Sequence, residues 1–147
     1  APDAGLVQLV TGADSIDGLK RRSTPPPALA DLFRRAFGPR SSRAHRRAER
    51  AFCSSCAAWA VVTYLLQIKD RHNGNILLRA DGAIVHIDFG FLLSNSPGKN
   101  IGFESAPFKL TREWVDVMGG TRSPWFAYFK LLVVRGMLEA RRRRRGA

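Results

Sequence analysis

The chain has 147 residues, 24 Lys and Arg against 12 Asp and Glu, a net charge of +12 and 45% hydrophobic residues. That size and composition predict one globular domain with a buried core. No apolar run reaches the ~20 residues that span a bilayer, and no signal-peptide pattern opens the chain, so an intracellular protein is the default expectation.

In chain order, Leu6 to Val10 predicts a short strand, and Asp14 or Ser15 caps a brief helix through Lys20. Ser23-Thr24-Pro25-Pro26-Pro27 is a loop, since consecutive prolines preclude a helix interior. Ala28 to Phe37 reads as a helix with Leu29, Leu32, Phe33 and Phe37 on one side, ended by Gly38-Pro39. Ser41 or Ser42 starts a longer helix to about Gln67, basic at first and then apolar nearly all round, as a central buried helix is. Phe52, Cys56, Trp59, Thr63 and Leu66 mark its packing stripe. A hairpin follows, then a helix from Thr111 to Met118 stopped by Gly119-Gly120. The last helix runs from Pro124 to about Arg142 with Phe126, Phe129, Leu132, Val133 and Met137 inward.

Cys53 and Cys56 form a C-x-x-C with no second pair to complete a zinc site and no thioredoxin-like context, which leaves two buried thiols on a helix stripe. His45, in a basic stretch, is expected to be solvated, and Trp59, Trp114 and Trp125 are expected in the core. Arginine runs (Arg21-Arg22, Arg34-Arg35, Arg46-Arg47, Arg141 to Arg145) supply much of the charge. Such a surface is drawn to an anionic leaflet at roughly 1 kcal/mol per basic residue, binds nucleic acid non-specifically, or is simply a set of solvated faces.

The hairpin carries the chemistry. Ile76 to Ala80 and Ala83 to Ile87 are apolar runs joined by Asp81-Gly82, a strong turn signal. A two-residue turn pairs Ala80 with Ala83 and, counting outward, Asn75 with Asp88, their Cβ atoms roughly 5 Å apart. Ile76, Leu78, Val85 and Ile87 then share an apolar face, while Asn75, Leu77, Arg79, Ile84, His86 and Asp88 share a mixed face open to a ligand. A three-residue turn with a bulge shifts the pairing by one and keeps Asn75 and Asp88 neighbours. A carboxylate beside an amide oxygen suits a hard cation such as magnesium.

Asp70-Arg71-His72-x-x-Asn75, followed by Ile87-Asp88-Phe89-Gly90, resembles the paired catalytic and metal loops of the phosphatidylinositol 3- and 4-kinases. Tyr64 to Lys69, Gly102-Phe103-Glu104, Ala106 to Thr111 and Val115 to Gly120 are similar to the type III 4-kinases, the beta-like branch most of all. The strong likeness runs from about Phe52 to Leu138; Leu6 to Lys20 is a weaker likeness, and Arg21 to Arg50 diverges.

That resemblance implies an α+β fold: the mainly helical C-lobe portion of a protein-kinase-like domain, with a small β-hairpin carrying the catalytic site. It implies a catalytic loop at 69–75, a metal loop at 88–90, an activation loop at 90–110 and a basic tail at 141–147. A phosphate-covering glycine loop and its strand-borne lysine are not found ahead of the catalytic loop, nor are further C-lobe helices after it, so residues 1–147 are expected to be a partial domain, inactive in isolation. The implied activity is transfer of the ATP γ-phosphate to the 4-hydroxyl of phosphatidylinositol. ATP and Mg2+ (or Mn2+) are the implied cofactors, with Asn75 and Asp88 on the metal and Leu77 and Ile87 under the adenine ring. In the two-residue register Leu77 and Ile87 point to opposite faces, and a bulge reconciles them. Asp70 orients or deprotonates the hydroxyl, with His72 as rival acceptor, and Arg71 pins the loop to the core.

The activation loop holds few basic residues, Lys99 and Lys109. By resemblance their scarcity implies plain phosphatidylinositol as substrate. An anionic membrane surface, regulatory proteins and a cytoplasmic place on intracellular, Golgi-like membranes follow from the same likeness. The alternatives are a serine/threonine protein kinase of the same superfamily and a non-catalytic basic module that binds membranes or nucleic acid.

Overall fold

The computed structural model describes residues 4–93 and 106–144, with side chains through residue 142. Strand β1 (Ala13–Ser15) leads into helix α1 (Ile16–Arg21), followed by α2 (Leu29–Phe37) and the long α3 (Arg43–Leu66). A 3-10 turn (Asn73–Asn75) precedes β2 (Ile76–Arg79) and β3 (Ile84–His86); α4 (Arg112–Val117) and α5 (Pro124–Arg144) complete the element order. The strands form one antiparallel sheet in the order β1-β2-β3, so the expected α+β class holds.

Local capping sets the helix starts. Ser15 Oγ accepts from the Gly18 N–H at 2.9 Å, and Ser42 Oγ accepts from the His45 N–H at 3.0 Å. Thr111 Oγ1 does the same for Trp114 at 3.3 Å. Each satisfies a donor that has no intrahelical partner, worth about 1 kcal/mol. The choices open between Asp14 and Ser15, and between Ser41 and Ser42, thus fall on the second residue each time.

The core lies between α2, α3, α4 and α5. Phe52 meets Phe33 and Trp114 edge to face, with centroids 5.2 and 5.8 Å apart. All three rings are buried, each contributing about 2–3 kcal/mol through burial. Helix α5 crosses α3 closely at Gly136, where a Cβ would stand 2.9 Å from Val61 Cγ2. Trp59 and Trp125 pack against this core. No helix among the described residues is long and apolar enough to cross a membrane.

Three expectations fail. Leu6 to Val10 forms no strand; Leu6, Val7 and Leu9 are exposed, because an apolar run without a neighbouring ladder has nothing to pair with. The outer strand comes instead from Ala13–Ser15, paired Ala13 to Arg79 and Ser15 to Leu77. The C-terminal half of α3 is not enclosed: Val62, Tyr64, Leu65 and Leu66 are exposed, so the packing stripe stops at Thr63. His45 is buried rather than solvated, its Nδ1 2.8 Å from the Gly38 carbonyl. Its Nε2 lies 3.6 Å from Glu49 Oε1, which also pairs with Arg40 at 3.1 Å.

Candidate active site

The hairpin turn has three residues. Arg79 N–H donates to the Ala83 carbonyl at 2.8 Å, and Gly82 N–H returns to the Arg79 carbonyl at 2.9 Å. Gly82 sits at φ 90°, which an L side chain rarely adopts. A Cβ there would also stand 2.8 Å from the Ala48 carbonyl of α3. The longer turn shifts the register to Ile76–His86, Leu77–Val85 and Leu78–Ile84.

That shift redistributes the faces. Ile76, Leu78, Ile84 and His86 now share one face; Ile76, Ile84 and His86 on it are buried. Leu77 and Ile87 share the other, which settles their opposition in the two-residue register through the bulge. His86 therefore belongs to the core face, not the open face expected of it. Asn75 stands opposite Ile87, whose N–H donates to the Asn75 carbonyl at 3.0 Å. Asp88 is one residue further on, beyond the strand at φ 57°, and is not the cross-strand partner of Asn75 that either turn was expected to give.

Leu77, Ile87 and Asp88 line a cavity of about 770 Å3, together with Val10 and Asp14 from the segment around β1. That volume is in the range of small-molecule and cofactor sites. Another cavity, about 730 Å3, lies against α2 with Leu32 and Leu78 in its wall, and none of the expected site residues lines it.

The loop expected to be catalytic, residues 69–75, is tied at both ends. Helix α3 closes with Gln67 in the left-handed region, and Lys69 N–H donates to the Phe91 carbonyl at 2.9 Å. Asp70 and Asp88 both take positive φ, 60° and 57°. Aspartate tolerates this conformation better than most residues, at a cost of order 1–3 kcal/mol that the surroundings must offset. Arg71 supplies much of the offset. It is buried, and its guanidinium donates to the carbonyls of Lys69 (2.8 Å), Ile87 (2.7 Å) and Asp88 (2.5 Å). One planar fork thereby locks the 69–75 loop to the 88–90 turn.

Asn75 is buried, and its Nδ2 donates to the Asp70 carbonyl at 3.0 Å, which turns the amide oxygen away from Asp70. Asp88 is exposed, its Oδ1 accepting weakly from Gly90 N–H at 3.4 Å. Among the described residues no group of three or more His, Cys, Asp or Glu could hold a metal. An amide oxygen and a carboxylate suit a hard cation that completes its sphere with phosphate and water oxygens, the habit of magnesium.

His72 Nδ1 accepts from the Gly74 N–H at 3.0 Å, and its Nε2 lies 3.8 Å from Asp70 Oδ2. In the neutral ring the proton therefore sits on Nε2, facing the Asp70 carboxylate. Lys109 is tied to the catalytic loop: its Nζ donates to the Arg71 carbonyl (2.7 Å) and Asn73 Oδ1 (3.2 Å). Lys99 lies outside the described residues.

Sequence reasoning missed the aromatic wall behind the metal loop. Trp59 of α3 stacks on His86, with centroids 4.5 Å apart and planes 3° from parallel. Burial, then the charges of Arg71 and Lys109, push the His86 pKa down to about 3, so the ring is neutral. The signal was period-two alternation through Ile84 and His86, legible once the turn length is known.

Helices packed behind a small antiparallel sheet, with an Asp-Arg-His loop and an Asp-Phe-Gly turn meeting at its open end, define a kinase-type catalytic lobe. Residues 11–145 match the family model for phosphatidylinositol 3- and 4-kinase. The chain is 54% identical over 138 residues to a phosphatidylinositol 4-kinase of Dictyostelium discoideum, covering 94% of this chain and 12% of that protein. It is 49% identical over 140 residues to phosphatidylinositol 4-kinase beta of Rattus norvegicus and of Xenopus tropicalis, covering 95% of this chain and 17% of each. The chain thus spans less than a fifth of the length of these curated relatives, and it belongs to the phosphatidylinositol 3- and 4-kinase family.

Proposed function

We propose that this chain is the catalytic-lobe part of a phosphatidylinositol 4-kinase, which moves the γ-phosphate of ATP to the 4-hydroxyl of phosphatidylinositol in an anionic membrane surface. The observation that carries the reading is the Arg71 guanidinium, which joins the Asp70–Asn75 loop to the Asp88 turn beside a cavity lined by Leu77, Ile87 and Asp88. The names of the relatives support the substrate.

Asn75 Oδ1 and the Asp88 carboxylate would hold Mg2+ (or Mn2+), which when bound neutralises charge on the phosphates. Leu77 and Ile87 offer an apolar floor to the adenine. Asp70 orients the inositol hydroxyl and takes its proton, because the one lone pair of neutral His72 already accepts from Gly74. His72 instead steadies the Asp70 carboxylate. Arg71 and Lys109 hold the two loops in register from behind, so their part is positional. The net charge of +12 supports peripheral attachment to an anionic membrane surface, and the family likeness alone points to intracellular, Golgi-like membranes.

The test is the complete protein that carries this chain, incubated with labelled ATP and vesicles of phosphatidylinositol, of its phosphorylated forms, or with a protein acceptor. The expected product is phosphatidylinositol 4-phosphate, assigned by chromatography of the deacylated headgroup. Preference for a bisphosphorylated lipid would remove the substrate assignment. Transfer to protein alone would favour the serine/threonine kinase alternative. No transfer, with salt-sensitive binding to vesicles or RNA, would favour the basic binding module.

A further inference from the structure

We propose that Trp59 is a positioning residue for the metal loop: its indole stacks on His86 and on Phe89, which bracket Ile87 and Asp88, and so fixes where the Asp88 carboxylate points. The inference rests on the reading of Asp88 as a metal ligand and extends it to a residue on a different element.

The indole is itself held in place. β3 is an edge strand, and the outward N–H and C=O of its Ile84 would otherwise lack partners. Ser55 Oγ accepts from that N–H at 2.9 Å, and Trp59 Nε1–H donates to that carbonyl at 3.2 Å. Ser55 and Trp59 are one helical turn apart on α3, so the helix grips β3 with two side chains from one face. The ring that results lies flat on His86, centroids 4.5 Å apart. Neither nitrogen of the buried His86 ring has a hydrogen-bond partner among the described residues. The imidazole serves here as a flat surface.

The same indole meets the Phe89 ring at 5.9 Å, with planes 21° apart. The Arg71 guanidinium covers that phenyl ring at 5.7 Å while its N–H groups reach the Ile87 and Asp88 carbonyls. Asp88 is therefore fixed through its backbone by Arg71 and through its flanking rings by Trp59. Its φ of 57° makes that support necessary, since an unsupported aspartate favours extended or right-handed backbone. Releasing the rings lowers the share of molecules with Asp88 in its binding conformation, and apparent metal affinity falls by that fraction.

The experiment measures Mn2+ binding to the full chain with a non-hydrolysable ATP analogue, by loss of the free-ion electron paramagnetic resonance signal. Trp59→Leu should raise the half-saturating Mn2+ about 2- to 12-fold, the factor an aromatic pair is worth. Trp59→Phe, which keeps a ring but loses the Nε1–H bond to Ile84, should fall between the parent and Trp59→Leu, and analogue affinity without metal should not change. A purely structural role would instead weaken binding with and without metal alike. Unchanged metal affinity in Trp59→Leu, or equal damage from Trp59→Phe, overturns the proposal. Should Trp59→Leu fail to fold, His86→Leu takes its place: a rise in half-saturating Mn2+ supports the proposal and unchanged affinity overturns it. Wild-type binding that ignores Asp88→Asn would sink the metal-site reading and this inference with it. Asp88-dependent binding untouched by Trp59→Leu would sink the inference alone.

Discussion

Arg71 and Asp88 are joined through the main chain: the Arg71 Nη2 donates to the Asp88 carbonyl at 2.5 Å, leaving the Asp88 carboxylate free of that contact. Backbone placement and side-chain chemistry are thereby separable at this residue, and substitutions can address them one at a time.

Asp88→Asn removes the charge and keeps a residue that tolerates positive φ. On the proposed function, lipid phosphorylation by the complete protein that carries this chain should fall roughly 100-fold or more, the scale of losing one preorganised electrostatic group. Thermal unfolding should shift by no more than about 0.5 kcal/mol, as for an exposed position. Initial rates and a melting curve on the same preparation check both halves.

Arg71→Lys keeps the positive charge but cannot fork between three carbonyls. Stability should drop by about 1–3 kcal/mol, because three carbonyls lose a charged donor and a buried cation loses its partners. The measurement is the urea midpoint. A variant as stable as the parent would show that the fork does not hold the loops together.

Asp70→Asn and His72→Gln distinguish acceptor from support. With Asp70 as acceptor, Asp70→Asn should cost roughly 100- to 10,000-fold in kcat, the range for general-base removal. His72→Gln should cost about tenfold or less. The reverse order, read from kcat at saturating substrates, would make His72 the base.

Burial pushes the Cys53 thiol up to about 11, and Cys56 is also raised, by burial and then by its neighbour Cys53. Thiols in the unfolded chain ionise near pH ~8.5, so above that pH the unfolded state loses protons first. Stability should therefore be full at neutral pH and fall as pH rises, by at most about 1.4 kcal/mol per unit for each thiol. Urea midpoints at pH 7.5 and 10, compared with a Cys53→Ala variant whose drop is smaller, provide the check. At neutral pH both thiols should react with a disulfide reagent only after unfolding.

Much of this was readable residue by residue. Ser15, Ser42 and Thr111 start their helices through contacts three residues away, and Gly38 and Gly119-Gly120 end theirs through local backbone freedom. The Asp70–Asn75 and Asp88–Gly90 loops were legible for the same reason: their chemistry depends on residue type and spacing. The buried His45–Glu49–Arg40 group was not. A polar residue in a basic helix is solvated or buried according to what covers it, and here the cover is Phe33 of α2.

The sequence alone determined that a hairpin ends in an amide and an acid, that two aspartate loops meet there, and which family this is. Tertiary structure decided what the two faces of the hairpin meet, because α3 covers one of them, with Gly82 against Ala48 and Ile84 held by Ser55 and Trp59. His86 lies inward on Trp59, while Leu77 and Ile87 share the opposite wall. The division has a physical basis. Turns, caps and motifs are written in neighbours along the chain, whereas facing and burial depend on partners that folding brings from far away.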